Sequence, residues 1–262
     1  MVLQLFKKIK KGSGTIVIPI LFSVVIFTVW ELLVFLLEIP EYLLPPPSTI
    51  FNELGTNFSI LLGHMAMTML AAVSGYLLAN GIGFCAGVIF AHSKTIEKGI
   101  YPYAIALKTT PVIAMAPLLV LWFGTDLESK IATAALICFF PIIVNSVKGL
   151  TSVDRDSLDL FKSYSASKWQ IFIKLRLRTS LPYVFSALKI STGLSVVGAV
   201  VGEFVGANVG IGYLILVSSY HLETATMFAA IMMSALGGVT FFTIVSLIEK
   251  KVIFWQRALE TG

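Results

Sequence analysis

The amino-acid sequence predicts an all-α integral membrane protein with about six transmembrane helices. Of its 262 residues, 57% are hydrophobic and only 13% are charged, and the mean hydropathy is +0.91. Soluble domains carry about 25% charged residues, so this chain has too few to build a water-exposed surface. Its apolar residues fall into runs long enough to cross a bilayer, and its basic residues lie mostly between those runs.

Six apolar runs are bounded by charged residues, proline or glycine. They cover residues 16–37, 65–91, 100–123, 131–150, 182–206 and 224–248. A helix needs roughly 20 residues to cross the hydrocarbon core, and each run meets that length. The first run follows lysines, as a signal peptide would, but no small-residue cleavage site follows it. We therefore expect six spans in a membrane domain over 16–248, between tails at 1–15 and 249–262.

Lysine and arginine are concentrated in every second connection between the predicted spans. The two tails, the second loop and the fourth loop hold most of them, whereas the first, third and fifth loops hold mainly acidic residues. Positively charged flanks remain in the cytoplasm during membrane insertion. The pattern therefore predicts that both termini are cytoplasmic.

The first outer loop contains three consecutive prolines at 45–47, which hold an extended backbone. Ser48 or Thr49 is positioned to cap a following amphipathic helix over 47–59. One stripe of that helix is apolar and comprises Ile50, Leu54 and Phe58. Two interpretations are open: the helix lies along the outer membrane surface, or it packs on the helix bundle.

The sequence lacks the residue clusters that enzyme chemistry requires. His64, His92 and His221 are far apart, and Cys85 and Cys138 show no metal-ligand spacing. The dipeptide Gly-Lys is absent, so there is no phosphate-binding loop for ATP. We expect a non-catalytic chain that binds no cofactor. A membrane-embedded enzyme, which needs clustered polar residues at one depth, remains a rival class.

A Gly-x-Gly-x-x-Ala pattern begins at Gly81 within the second apolar run. It superficially matches a dinucleotide-binding fingerprint, but no strand precedes it. Gly83 and Gly87 are four residues apart, which places them on one face of a helix. They predict a surface where another helix packs closely.

The fourth loop, residues 151–181, is the longest connection between predicted spans. Acidic residues at Asp154 and Asp156 favour the start of a helix, because they face the positive end of the helix dipole. A second short helix is expected after Ser167. Its apolar positions are Trp169, Phe172 and Ile173. These aromatic surfaces predict either a partner on the cytoplasmic side or packing beneath the bundle.

This loop resembles the cytoplasmic signature of permeases in binding-protein-dependent ABC importers, known as the EAA loop. In that signature Glu-Ala-Ala is followed by a glycine and later by a leucine-proline pair. Asp159-Leu160-Phe161 stands at the Glu-Ala-Ala position and Ser165 at the glycine. Leu181-Pro182 closes the motif, and the spacing is preserved although several residues differ.

Three further segments resemble permeases of the nitrate, sulfonate and taurine group. They are YLLPPPS at 42–48, PVIAMAPL at 111–118 with LWFG at 121–124, and VGEFVGA at 201–207 with GIGYL at 210–214. The resemblance covers nearly all of the chain after the N-terminal tail. It implies the permease fold of type I ABC importers in a bacterial inner membrane.

The resemblance also implies a function and a set of partners. The chain would be the permease of an ATP-driven importer for a small solute such as nitrate, bicarbonate, a sulfonate, taurine or a vitamin precursor. It would pair with a second copy of itself, two cytoplasmic subunits that bind ATP and Mg, and an external solute-binding protein. Coupling to the ATPase would use Asp159, Leu160, Phe161, Tyr164, Ser165, Ala166 and Ser167.

Ionisable groups and backbone breaks inside spans are the candidates for the solute pathway, because a charge at mid-membrane is costly unless it is paired or hydrated. The candidates are Lys108, Pro111, Met115, Asn145 and Glu203. Structural pairing, snorkelling and ordinary proline kinks are the alternatives. A secondary carrier or channel that needs no ATPase is the rival function, and it predicts inverted repeats that the sequence does not show.

Overall fold

The computed structural model describes residues 2–93, 95, 98, 99, 102, 103, 106 and 109–255, with side chains from residue 17 onward. In chain order its helices are α1 (Val2–Leu36), α2 (Pro47–Thr56), α3 (Phe58–His92), α4 (Val112–Phe123), α5 (Leu127–Thr151), α6 (Arg155–Ser163), α7 (Lys168–Glu203), α8 (Ile211–His221) and α9 (Thr224–Val252). The fold of the described residues is all-α.

Five of these helices are long and apolar enough to cross a membrane: α1 over Val17–Leu36, α3, α5, α7 and α9. They coincide with five of the six predicted spans. The predicted third span, 100–123, corresponds to the shorter helix α4, which begins directly after Pro111. Most of its N-terminal half, 100–108, lies outside the described residues.

The chain divides into two compact units. The first comprises residues 1–59 and 215–229, and the second comprises 60–214 and 230–262.

In the first unit, α2 packs against α1 through the Phe27 and Phe51 rings, whose centroids are 5.6 Å apart. Ile50 is only 1% exposed, which favours packing over a purely surface-lying helix. The predicted cap of α2 by Ser48 or Thr49 is wrong, because Pro46 occupies the N-cap and makes no side-chain bond. Glu31 of α1 binds the N-terminus of α2 instead, since its carboxylate accepts hydrogen bonds from the Ser48 backbone N–H (3.0 Å) and from the Ser48 hydroxyl (2.6 Å).

In the second unit, small residues bring α5 close to both α3 and α7. A Cβ atom added to Gly75 or Gly87 of α3 would lie 2.6 Å from the Cβ of Ala134 or Ser146 on α5. Gly83 meets Ile142 in the same way, so the predicted packing face of Gly83 and Gly87 is confirmed. Backbones that approach this closely gain dispersion contacts, the main attraction between helices in lipid.

The helix predicted after Ser167 begins there, at Lys168, but it is not a separate short helix. Instead, α7 runs from an α-helical turn, Lys168–Ile171, through a π-helical turn, Phe172–Arg176, into the α-helical stretch Leu177–Glu203. No glycine occurs between 169 and 182 to end the helix. Pro182 removes one backbone donor, which a long membrane helix tolerates.

Candidate functional site

Helix α6 in the fourth loop has a well-formed N-terminus. The Asp154 carboxylate accepts a hydrogen bond of 2.7 Å from the Ser157 backbone N–H. This bond stabilises the charged form and lowers the pKa of Asp154 below its ordinary value of 3.8. The cap therefore fixes where α6 begins, as the acidic residues of the loop predict.

The C-terminus of α6 forms a Schellman motif, in which two backbone amides after the helix bond back to its last turn. The Ser165 N–H donates to the Lys162 carbonyl (2.8 Å), and the Ala166 N–H donates to the Phe161 carbonyl (3.0 Å). Ser165 adopts the left-handed conformation with φ +55°, which glycine prefers. The signature glycine of the EAA loop therefore falls at the position whose backbone favours glycine.

Helix α6 has no buried residue, although it carries large apolar side chains. Leu160 is 56% exposed and Tyr164 is 80% exposed. Together with the half-buried Phe161 and with Ala166, they line a groove of about 330 Å³, completed by Gln170 and Lys174. We call Leu160, Phe161, Tyr164 and Ala166 the loop docking surface. Large apolar side chains that are exposed on a well-ordered polar loop are typical of a protein-binding surface.

The other predicted coupling residues lie around this surface. Asp159 forms an exposed ion pair of 2.8 Å with Lys162, and exposed pairs contribute little to stability. Ser165 determines the turn after α6. Ser167 caps α7 in a capping box, since its hydroxyl accepts from the Gln170 backbone N–H while the Gln170 side chain accepts from the Ser167 N–H.

A second cluster surrounds Glu203, the last residue of α7, which is 3% exposed. Its carboxylate accepts hydrogen bonds from the Gly212 backbone N–H (2.7 Å) and from the Thr68 hydroxyl (3.1 Å). The same hydroxyl accepts from the Ile211 backbone N–H (2.8 Å). Polar groups of α3 and α7 therefore hold the start of α8 in place.

In the same cluster, the backbone at Gly210 lies close to the side chains of His64 and Glu203. The Gly210 N–H donates to His64 Nδ1 (3.0 Å), and the His64 ring stacks on Tyr213 with centroids 6.0 Å apart. Gly210 has φ +118°, and a side chain there would collide with the Glu203 carboxylate. Only glycine fits at this position.

Glu203 also borders a cavity of about 260 Å³. Lys130 of α5, 5% exposed, lines the cavity and donates a hydrogen bond to the Thr125 carbonyl. Asp126 and Asn208 complete its polar lining. The cavity is thus lined by acidic, basic and amide side chains, a lining that suits polar contents such as water.

Of the predicted pathway residues, Glu203 lines the cavity described above, whereas Pro111, Met115 and Asn145 are not among its lining residues. Pro111 lies exposed at the start of α4, and Met115 lies one turn further along that helix. The Asn145 amide donates to the Pro141 carbonyl of its own helix (2.9 Å). Lys108 lies outside the described residues.

Sequence reasoning missed several members of the Glu203 cluster. Lys130 marks only the edge of a loop in the sequence, yet the structure buries it. His64 and Thr68 carry a weak signal, because their four-residue spacing places both on one face of α3. The glycines on either side of Ile211 carry a stronger one, since glycine is used where the backbone must approach another group closely.

Comparison with known proteins identifies the family. The family described as "Binding-protein-dependent transport system inner membrane component" matches residues 79–254, more than half of the chain. This chain belongs to that family. The matched range contains α5, the loop docking surface, α7 and Glu203, whereas His64 and Thr68 lie before it.

Relatives of this permease cover almost its full length. It is 33% identical over 240 residues to the formylaminopyrimidine transport permease ThiX of Halalkalibacterium halodurans, covering 91% of this chain and 96% of the relative. It is 32% identical over 244 residues to the putative aliphatic sulfonates transport permease SsuC of Bacillus subtilis, covering 92% and 88%. It is therefore an ABC importer permease.

A solved structure of the inward-facing MetNI methionine ABC transporter has a similar fold. The TM-score is 0.61 at 18% identity, and the alignment covers 74% of this chain and 95% of the other. The permease has the fold of type I ABC importers and is a multi-pass membrane protein.

Proposed function

We propose that this permease works as a homodimer in a bacterial inner membrane, with both termini in the cytoplasm, and forms the translocation pathway of a solute importer. It catalyses no reaction. Two cytoplasmic partner subunits bind ATP and Mg, and an external solute-binding protein delivers the solute. The absence of a Gly-Lys dipeptide in the chain supports this division of labour, because ATP hydrolysis then depends on another subunit.

The loop docking surface is the observation that carries the proposal. It presents Leu160, Phe161 and Tyr164 on a helix whose two ends are fixed by Asp154 and by the Schellman motif. A fixed helix transmits a displacement to the spans, whereas a disordered loop would absorb it. Its partner is the ATPase. The C-terminal neighbour of this surface is α7, which leads directly into a membrane span.

The direct connection from the loop into α7 suggests how movement reaches the membrane. A π-helical turn, Phe172–Arg176, lies between the docking surface and the α-helical stretch Leu177–Glu203 of α7. Such turns are rare and often occur at functional positions. We assign this turn as the place where α7 adjusts when the ATPase subunits close.

For the solute pathway we propose the cavity bordered by Glu203 and Lys130, together with Pro111, Met115, Asn145 and Lys108 from the predicted set. Glu203 is anchored to the first turn of α8 by the Gly212 amide. A shift of α7 relative to α8 would break that bond and expose both charges to the pathway.

The names of the relatives suggest the class of solute. They include permeases for formylaminopyrimidine, riboflavin, aliphatic sulfonates, taurine and nitrate. We propose a small solute of this range: an inorganic anion, a sulfonate or a vitamin precursor.

The test is co-purification of the full chain with candidate ATP-binding subunits from the same organism. Tyr164→Ala removes an 80% exposed aromatic side chain from the docking surface. We expect affinity for the ATPase to fall roughly 10- to 100-fold, as for truncation of an interface anchor. Phe161→Glu, which buries a charge in the same interface, should abolish association.

Tyr220→Ala is the matched control, because Tyr220 is 78% exposed but lies at the far end of α8 in the fifth loop. It should leave association unchanged. Equal loss with Tyr164→Ala and Tyr220→Ala, or full association with Phe161→Glu, would show that the ATPase does not bind at this surface.

A further inference from the structure

A second groove, separate from the loop docking surface, lies where the C-terminal end of α3 meets the first turns of α7. Its volume is about 590 Å³, and it is lined by Val88, Ile89, His92, Lys168, Trp169 and Phe172 among others. Both helices are long enough to span the membrane, and the groove lies at their ends. The predicted second span ends at residue 91, so His92 and the groove beside it lie at the depth of lipid headgroups.

The groove is built from aromatic rings. Trp169 stacks on Phe172 with centroids 5.7 Å apart, and Phe172 meets the His92 ring edge-on at 5.3 Å. The His92 Nδ1 lies 2.8 Å from the Val88 carbonyl, which fixes the ring. Trp169 nevertheless remains 67% exposed. Exposed tryptophan at the end of a span is typical of the membrane interface.

One end of the groove is cationic. Lys168 is exposed, and among the described residues no carboxylate lies within ion-pair distance of its ammonium group. Lys174, Arg176 and Arg178 follow on the same helix and add positive charge to the start of α7, although none of them lines this groove. An anionic group is the complement of this end.

The other end of the groove is apolar and continues along α3. Leu78 (48% exposed), Ile82 (53%) and Ile89 (53%) fall on one stripe of that helix with the exposed Cys85 between them. The stripe leads away from Lys168 into the spanning part of α3. A soluble protein cannot follow it into the hydrocarbon region, but an acyl chain can.

We propose that this groove is a binding site for an anionic phospholipid of the surrounding bilayer. The phosphate headgroup lies against Lys168, the glycerol region contacts Trp169 and Phe172, and one acyl chain runs along Ile89 and Ile82. The site adjoins the start of α7, so lipid occupancy would stabilise the helix that follows the loop docking surface. It differs from the solute site in location and in ligand class.

The test uses the full chain in nanodiscs and quenching of Trp169 fluorescence by brominated lipids. Trp169→Phe isolates the contribution of this ring from the other three tryptophans. We expect half-maximal quenching at about a fivefold lower mole fraction of brominated phosphatidylglycerol than of brominated phosphatidylcholine, as for one additional lysine–headgroup attraction. Lys168→Glu should reduce that ratio to about one.

Lys250→Glu is the charge-matched control, since Lys250 is exposed near the end of α9, and it should keep the fivefold ratio. A ratio of one in the unmodified chain, or equal loss with both substitutions, would overturn the proposal. Loss of quenching when ATP-binding subunits are added would also overturn it, by assigning the groove to a protein partner. Displacement by soluble glycerol phosphate would do the same, because headgroup recognition alone would then suffice.

Discussion

Replacing Ser165 by glycine should stabilise the turn that follows α6. Ser165 has φ +55°, and an L-residue in the left-handed region costs about 1–2 kcal/mol. Glycine removes that cost but loses about 0.5–1 kcal/mol more backbone entropy on folding. The balance favours Ser165→Gly by about 0.5–1 kcal/mol, which corresponds to about a two- to fivefold smaller equilibrium constant for local opening.

Hydrogen–deuterium exchange measures this opening directly at the amides of residues 165 and 166, which donate the two bonds of the Schellman motif. Ser163→Gly is the matched control with the opposite expected sign, because Ser163 is in the last helical turn of α6, where glycine costs about 1 kcal/mol. After correction for intrinsic rates, unchanged or faster exchange in Ser165→Gly would refute the strain argument. Equal effects of the two substitutions would refute it as well.

Three further predictions follow from the packing and hydrogen bonds. Gly83→Leu should lower the stability of the protein in detergent by about 1–3 kcal/mol, because the new side chain overpacks the contact with α5. Gly81→Leu should not, because a Cβ atom at that position has open space around it. Equal losses would contradict the contact between α3 and α5. Because the pKa of Asp154 is lowered in the folded state, its capping contribution is present above pH 3.8 and is lost as pH falls through the folded-state pKa. The difference in amide exchange between the unmodified chain and Asp154→Ala should therefore persist at neutral pH and vanish in acid. A difference that does not depend on pH would contradict this prediction. Glu203→Leu leaves the Gly212 amide without an acceptor, whereas Glu203→Gln retains an acceptor oxygen. Glu203→Leu should therefore destabilise the folded protein by about 1–3 kcal/mol more than Glu203→Gln. Equal melting temperatures of the two variants would contradict this prediction.

The sequence predicts the spans well because the length of an apolar run is a local property. Five predicted spans coincide with long apolar helices, and the pair Gly83 and Gly87 packs on α5 as their spacing indicates. The beginning of α6 is likewise local, since Asp154 caps an amide only three residues away. Such features depend on neighbours in the chain and need no knowledge of the fold.

The remaining features depend on distant partners. Glu31 accepts bonds from Ser48, seventeen positions away, and displaces the local cap that the sequence suggests. Lys130 resembles a loop residue because charge ends a hydropathy window, yet the Thr125 carbonyl and the acidic cavity bordered by Glu203 accommodate it in the interior. No periodicity or motif predicts such pairings, because they follow from how α3, α5 and α7 meet.

Helix boundaries show a second limit. The sequence suggests a break between Trp169 and Pro182, where polar and basic residues interrupt the apolar pattern. The structure continues the helix through a π-helical turn instead. Pro182 does not end the helix, because the long apolar helix retains its other backbone hydrogen bonds.

The central claim is that this permease transports solute only when an ATPase acts on it. The most direct measurement is uptake into proteoliposomes of the ligand that the partner binding protein carries, with the full chain reconstituted alone or together with the ATP-binding subunits. We predict uptake only when the ATP-binding subunits, ATP and the binding protein are all present, and loss of that uptake in Phe161→Glu. Uptake by the chain alone without ATP would contradict the account and identify a secondary carrier or channel.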